Sequence, residues 1–343
     1  MNLYRRAGRA LCALIAVMNA SVCLAASEQQ LASIGSLTMQ GGKIDQCSMG
    51  YRTYGTLAAD QSNVVLVPTW LTGRSADQVA LIGPGKLIDT GKWYVIGLDT
   101  LGNGISCSPS NSKNHPRLMF GPFTLRDMVK AQHRLLASTL GIDHAYAIVG
   151  FSMGGMQALQ WAVMYPDYAR NIVVIVGTPQ PSARDLNVWK QELRAIEQTP
   201  GWNNGNYASG TSFKKLIALH SEFLWMPEAM AAKEVASQRP TTDSLRGAVS
   251  SQTFSVVDWY RQLQAMTQFD LVRQGDMATL ARKIKSRLLI VTSEQDRLVD
   301  PAPAKALAAQ KHAKLLVLDN DCGHMAPVCE MDKVDAALKA FLK

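Results

Sequence analysis

Tyr146-Ala147-Ile148-Val149-Gly150-Phe151-Ser152-Met153-Gly154-Gly155-Met156-Gln157 passes from strand character to helical character within a few residues, with a single serine at the junction. Tyr146 to Val149 is short, apolar and branched, the composition of a strand buried on both faces, and Met156 to Met164 reads as the start of a helix. A serine on so abrupt a turn must take a strained backbone. Gly150 and Gly154 accommodate the turn because they carry no Cβ. The consequence is chemical: the turn lifts the Ser152 hydroxyl clear of the sheet, where a carbonyl carbon can reach it.

The pattern is G-x-S-x-G, the signature of a nucleophile elbow, and it predicts an acyl-transferring enzyme. The competing reading is a tight strand-to-helix turn in which Ser152 only caps the helix. The strand before and the helix after favour the elbow.

A serine hydroxyl attacks poorly unless a base takes its proton, and the base is normally a histidine held in one tautomer by a carboxylate. In elbow enzymes the chain order is serine, acid, histidine, with the last two on loops after later strands. Ser293-Glu294-Gln295-Asp296-Arg297-Leu298-Val299-Asp300 follows one such strand, and Asp319-Asn320-Asp321-Cys322-Gly323-His324 follows the next. Of the six histidines, only His324 lies in a loop after a C-terminal strand and beside a flexible glycine. His133, His115, His144, His220 and His312 read as packing or solvated residues. Among the acids, Asp296 is favoured by its distance from the strand end. Glu294 is too near the sheet, and Asp300, ahead of Pro301, is the second candidate and reads equally as a helix start. Backbone N–H groups must also stabilise the oxyanion of a tetrahedral intermediate. One is expected from Met153. The other belongs to Pro68-Thr69-Trp70-Leu71-Thr72-Gly73, where Trp70 or Leu71 is the donor because proline has no N–H.

Along the chain, apolar strands alternate with amphipathic helices from about Gly50 onward. Val64 to Val67, Trp93 to Leu98, Ala145 to Val149, Ile172 to Val176, Arg287 to Thr292 and Leu315 to Leu318 read as strands. Thr124 to Leu140 reads as a helix opened by a capping threonine. That order implies an α/β fold with a mostly parallel central sheet flanked by helices. The stretch from about 178 to 270 has no such strands but has helical segments at Ala183 to Gln198 and Phe213 to Leu224, and reads as a helical lid inserted after the strand ending at Val176.

Residues 1 to 25 have a different character. Arg5, Arg6 and Arg9 precede an apolar run from Ala10 to Leu24, and Cys23-Leu24-Ala25 offers a cleavage site before Ala26. This is the layout of a secretory signal peptide, too short in its apolar part for the ~20 residues of a membrane span. A periplasmic or secreted enzyme, residues 26–343, is the expectation. Loss of those three arginines takes the net charge from +8 to +5, too diffuse for a nucleic-acid surface. Of the remaining cysteines, Cys47, Cys107, Cys322 and Cys329, the bridge Cys322 to Cys329 is favoured by proximity. No cysteine or histidine spacing suggests a metal site, and no cofactor is called for. The expected partner is a small acyl substrate, and a homodimer is the candidate assembly.

The chain resembles the homoserine O-acetyltransferases of the α/β-hydrolase fold. Beyond the elbow, the resemblance is carried by Tyr54-Gly55-Thr56-Leu57, Leu71-Thr72-Gly73, Ile82-Gly83-Pro84-Gly85-Lys86 and Leu101-Gly102-Asn103-Gly104. It continues through Arg126-Asp127-Met128-Val129, Arg194-Ala195-Ile196, Phe269-Asp270-Leu271, Asp296-Arg297-Leu298 and Gly323-His324, covering nearly all of the chain after the signal. It implies Ser152 as nucleophile, Asp296 as acid, His324 as base, and the Leu71 and Met153 amides as the oxyanion pair. Two departures stand out. The family places an aspartate after Gly-His where this chain has Met325, and a Tyr-Arg pair in the lid where this chain has Phe223-Leu224-Trp225. An amino acid zwitterion needs charged partners at both ends, which such a site lacks. Acetyl-CoA, moreover, is a cytosolic metabolite, and this chain carries an export signal. The expectation is therefore a hydrolase of a small, largely apolar ester, thioester or amide. An O-acyltransferase is the second reading, and a non-catalytic binding protein on the same fold is the third.

Overall fold

The apolar runs build the sheet. In the computed structural model, which describes residues 27–226, 254–273 and 275–343, eight strands form one sheet. They are β1 (Gln30–Met39), β2 (Gly42–Tyr54), β3 (Val64–Pro68), β4 (Tyr94–Leu98), β5 (Ala145–Phe151), β6 (Ala169–Ile175), β7 (Arg287–Ser293) and β8 (Lys314–Leu318). Their spatial order is β1-β2-β4-β3-β5-β6-β7-β8; only β2 runs against its neighbours, and every pair from β4 to β8 is parallel. Every residue of β3 is buried. Val64 and Leu66 feed the core on one side of the sheet and Val65 and Val67 that on the other, the two-sided burial that a continuous branched run encodes.

The hairpin of β1 and β2 lies upstream of the point where alternation is legible. The two strands pair antiparallel from Gln30 opposite Tyr51 to Met39 opposite Gly42, with shifts in register around Gly35. The shift explains why the pattern is hidden: Ile34 and Leu37 are both buried although three residues apart, so the period of two is broken. The other strands fall within a few residues of their expected bounds.

Helices cover both faces. Helix α1 (Leu125–Arg134) opens on Thr124, whose hydroxyl accepts from the Asp127 N–H while the Asp127 carboxylate accepts from the Thr124 N–H. The expected single helix to Leu140 instead widens into a π-helical segment over Leu135–Leu140 and stops at Gly141, which takes φ 65°. Helix α2 (Met153–Met164) follows the elbow and is buried from Met153 through Ala162. Between β6 and β7 come α3 (Ala183–Glu197), α4 (Lys214–Leu224), α5 (Val256–Thr267) and α6 (Met277–Lys283), and among the described residues of 178–270 there is no strand. Helix α7 (Pro301–Lys311) joins β7 to β8, and α8 (Met331–Phe341) follows β8. Residues 1–25 of the expected signal lie outside the described residues. No helix among those described is long and apolar enough to cross a membrane.

Two disulfides tie loops to this frame. Cys322–Cys329 is the expected bridge, and Cys47–Cys107 joins β2 to the loop after β4. A cross-link between residues separated by 60 positions restricts the unfolded chain strongly. The Cys47→Ala/Cys107→Ala variant is expected to lose about 2–4 kcal/mol of stability. Urea unfolding without reductant measures it, and an unchanged midpoint would show that the bridge contributes nothing.

Helix α5 is anchored to the same loop by Asp258, which is fully buried and accepts from the Ser110 N–H at 2.9 Å and from the Ser110 hydroxyl. Burial pushes its carboxyl from 3.8 up to about 7, against the lowering effect of the Ser110 hydrogen bonds and the Arg74 charge. The folded protein then holds this proton more tightly than the unfolded chain does. Stability from this group is complete below the unfolded value of 3.8 and falls as pH rises toward 7. Asp258→Asn stays neutral, and its Nδ2 can donate to the Ser110 hydroxyl. Its stability is expected to match the parent at low pH and to exceed it at pH 8 by an amount on the order of 3 kcal/mol, read from urea midpoints at both values.

Candidate active site

Ser152 stands at the junction of β5 and α2 with φ 52° and ψ −122°, a left-handed conformation that side-chain-bearing residues adopt only under constraint. The constraint is packing. A Cβ on Gly150 would overlap the Gly154 carbonyl, and one on Gly154 would lie 2.6 Å from the Pro68 carbonyl oxygen. The two glycines are therefore required by close approach of backbone to backbone, while the strain itself is carried by the serine. Although Ser152 occupies the N-cap position of α2, its hydroxyl makes no capping bond.

That hydroxyl instead lies 3.0 Å from His324 Nε2, and His324 Nδ1 lies 2.7 Å from Asp296 Oδ2. All three residues are buried, Ser152 at 9% exposure, Asp296 at 2% and His324 at 4%, so the contacts form away from bulk water. A carboxylate can only accept, so Nδ1 carries the proton and Nε2 is left to accept from the serine hydroxyl. The other carboxylate oxygen, Oδ1, accepts from the N–H groups of Leu298 and Val299, both at 2.8 Å. Of the acids weighed on that loop, Asp296 alone meets the histidine. Glu294 pairs with Lys305 at the surface, and Asp300 caps α7 by accepting from the Ala302 N–H.

Three of the five remaining histidines have side-chain partners elsewhere. His133 stacks on Tyr165 with ring centres 4.0 Å apart, and His220 faces Glu192 at 2.9 Å in the interior of the helical insertion. His144 faces Asp143, and His312 ends α7 in a left-handed conformation.

These loops are held by the expected Cys322–Cys329 bridge and by residues that sequence reasoning passed over. The Ser293 hydroxyl donates to the Gly323 carbonyl at 2.7 Å, and the Cys322–Cys329 bridge closes the loop that carries His324. At the start of α3, Arg184 donates to the Asp296 carbonyl at 2.9 Å, and the fully buried Asp185 accepts from the Asp300 N–H at 2.8 Å. The sequence trace of the Arg184 and Asp185 contacts is the cap Ser182-Ala183-Arg184-Asp185, which marks a helix start and not its reach across the fold.

The expected oxyanion donors lie where β3 ends and α2 begins. Thr69 N–H donates to the Leu98 carbonyl and Gly73 N–H to the Trp70 carbonyl, while the N–H groups of Trp70 and Leu71 form no hydrogen bond among the described residues. Met153, the first residue of α2, has no carbonyl one turn earlier to receive its N–H. Around this point the surfaces are apolar and aromatic. Trp70 meets Phe151 edge to face with centroids 6.4 Å apart, and the end of α4 closes on the histidine loop, where a Cβ on Gly323 would lie 3.2 Å from the Leu224 carbonyl oxygen. Met325 and Leu224 pack against the core that includes Trp225. Among the described residues there is no cluster of three or more side chains suited to a metal ion.

Known proteins share this arrangement of chain. Residues 63–328 match the model of the alpha/beta hydrolase fold. An ethyl acetate hydrolase of Pseudomonas veronii is 34% identical over 334 residues, spanning 91% of this chain and 95% of that protein. A homoserine O-acetyltransferase of Leptospira biflexa is 29% identical over 353 residues, spanning 92% and 93%. Among solved structures, an acetylester hydrolase from Corynebacterium glutamicum superposes with a TM-score of 0.83 at 27% identity, covering 92% of this chain and 96% of its own. The chain belongs to the α/β-hydrolase fold family, with esterases and homoserine O-acetyltransferases as its relatives, and it is an enzyme of that hydrolase and acyltransferase kind.

Proposed function

We propose that the protein is an exported hydrolase of small, largely apolar acyl substrates, esters first, that works through an acyl-Ser152 intermediate. The observation that carries this reading is the continuous hydrogen-bonded chain from Asp296 through His324 to a serine hydroxyl that has no structural partner. His324 Nε2 takes the hydroxyl proton as Ser152 Oγ attacks the carbonyl carbon, and the oxyanion accepts from the Met153 and Leu71 N–H groups. Collapse of the tetrahedral species breaks the bond to the leaving alcohol, which takes the proton back from His324. Water then repeats the sequence on the acyl-enzyme: His324 removes its proton, the acid leaves, and Ser152 regains its hydrogen. Asp296 keeps Nδ1–H in place and stabilises the imidazolium formed in each half.

The apolar surroundings support an uncharged acyl group. Met325 and the Phe223-Leu224-Trp225 stretch supply no ionic partner for an amino acid's charged ends. The relatives named as hydrolases of ethyl acetate and of acetyl esters point the same way. Export rests on the basic and apolar character of residues 1–25, and two disulfides favour an oxidising compartment. In this reading the helices between β6 and β7 act as the lid. Transfer of the acyl group to an alcohol is the second reading, favoured by the homoserine O-acetyltransferase relative and sharing the same acyl-enzyme.

Ser152→Ala is expected to reduce p-nitrophenyl acetate turnover by at least about 10³-fold and to abolish labelling by a fluorophosphonate. Asp296→Asn is expected to lower kcat by about 10⁴-fold through the wrong imidazole tautomer. Unchanged turnover in Ser152→Ala sinks the reading. Acylated product in place of free acid, when alcohols are added during turnover, would decide for transfer.

A further inference from the structure

The loop between β3 and the glycine at 73 carries a second strained residue. Thr72 has φ 64°, and for a β-branched side chain that conformation is an outlier that surroundings must impose. Its N–H donates at 3.0 Å to Oε1 of Gln262, a residue with no exposed surface that projects from α5, 190 positions away in sequence. The amide of Gln262 also reaches the Leu101 carbonyl, at 3.4 Å. A buried glutamine that crosses between elements to hold one strained N–H has a role that packing alone would not require.

The opposite end of the loop is held in a matching way. Gln157 on α2 donates to the carbonyls of Thr69 at 3.0 Å and Met153 at 3.2 Å, while its oxygen accepts from Thr100 at 3.0 Å and Gln132 at 2.7 Å. Asn103 donates to the Gly73 carbonyl at 3.1 Å. Between these anchors, the N–H groups of Trp70 and Leu71 form no hydrogen bond among the described residues. The Leu71 N–H belongs to the peptide plane next to the one that carries the Thr72 N–H, with only the φ and ψ of Leu71 between them, so release of the Thr72 N–H removes the anchor nearest to the Leu71 N–H.

We infer that Gln262 is a positioning residue that holds Thr72 in its left-handed conformation and thereby aims the oxyanion-binding N–H of the preceding residues, which couples helix α5 of the insertion to the chemistry at Ser152. The inference rests on the acyl-enzyme reading above. An oxyanion donor works only when it points at charge that forms in the transition state, so a misaimed loop costs kcat and leaves ground-state binding in place.

The experiment uses full-length protein carrying Gln262→Met, Gln262→Glu or Gln262→Asn, assayed on p-nitrophenyl acetate beside the parent. Gln262→Met keeps the volume and loses the acceptor, and is expected to lower kcat by about 100-fold with KM within about threefold. Affinity for a trifluoromethyl ketone, which forms an oxyanion adduct on Ser152, should weaken by the same factor as kcat/KM. Gln262→Glu retains an acceptor oxygen for the Thr72 N–H and should recover kcat to within about fivefold of the parent, although a buried carboxylate lowers Tm. If Gln262→Met does not fold, Gln262→Asn, whose oxygen is drawn back by one methylene, takes its place with the same expected loss. Parental kcat in the variant without an acceptor overturns the inference, as does an equal fall in Gln262→Glu that simply follows Tm. A parent enzyme whose Ser152 takes no fluorophosphonate fails the acyl-enzyme reading itself, and the inference with it, which separates the two failures.

Discussion

The approach of α2 to the end of β3 is the constraint on which the site depends. Gly154 lies so near the Pro68 carbonyl that no side chain fits between them, and Gly150 lies equally near the carbonyl of Gly154. With backbone pressed against backbone, the chain has no unstrained route from strand to helix, and Ser152 takes φ 52°. The same contact sets the helix N-terminus beside the loop after β3, so Ser152 and both ends of the expected oxyanion site are brought together by one packing event. Burial of nearly the whole of α2 secures it, since the helix cannot shift without opening apolar surface on two sides.

Much of this was legible in the sequence because its signals are local. Val64 to Val67 and Tyr146 to Val149 announce buried strands by composition, and G-x-S-x-G marks a turn whose sterics admit few alternatives. Asp296 could be preferred over Glu294 and Asp300 from its place along the loop, and the structure puts it 2.7 Å from the histidine. The hairpin of β1 and β2 was not legible, because the irregularity at Gly35 moves Leu37 to the face where period-two reading expects a polar residue. The buried glutamines were hidden for a different reason. Gln132, Gln157 and Gln262 are of a type ordinarily found at the surface, and nothing local distinguishes a glutamine that reaches another element from one that faces water.

The insertion between β6 and β7 contacts three loops around Ser152, each through a different helix. At its start, Arg184 and Asp185 on α3 hold the acid loop at Asp296 and Asp300. The end of α4 closes on Gly323, next to His324, and α5 reaches Thr72 and Ser110 through Gln262 and Asp258. The three contacts differ in chemistry: an ionic and backbone clasp, an apolar and steric one, and a buried amide. Each comes from a different helix, so the insertion is tied to the sheet at three places around the serine.

This layout ties the insertion and the candidate site to one another. A segment hinged at one edge could move without disturbing the loops beside it, but here three helices of the insertion each contact a different loop near Ser152. A displacement of α3, α4 or α5 is passed directly to the loops of Asp296, His324 or Thr72. The Ser293 bond to Gly323 and the Cys322–Cys329 bridge hold the loop of His324 without using the side chains of Met325 or Phe223-Leu224-Trp225. Side chains beside His324 can therefore change while its loop keeps its place, because that loop is fixed through a backbone carbonyl and a disulfide.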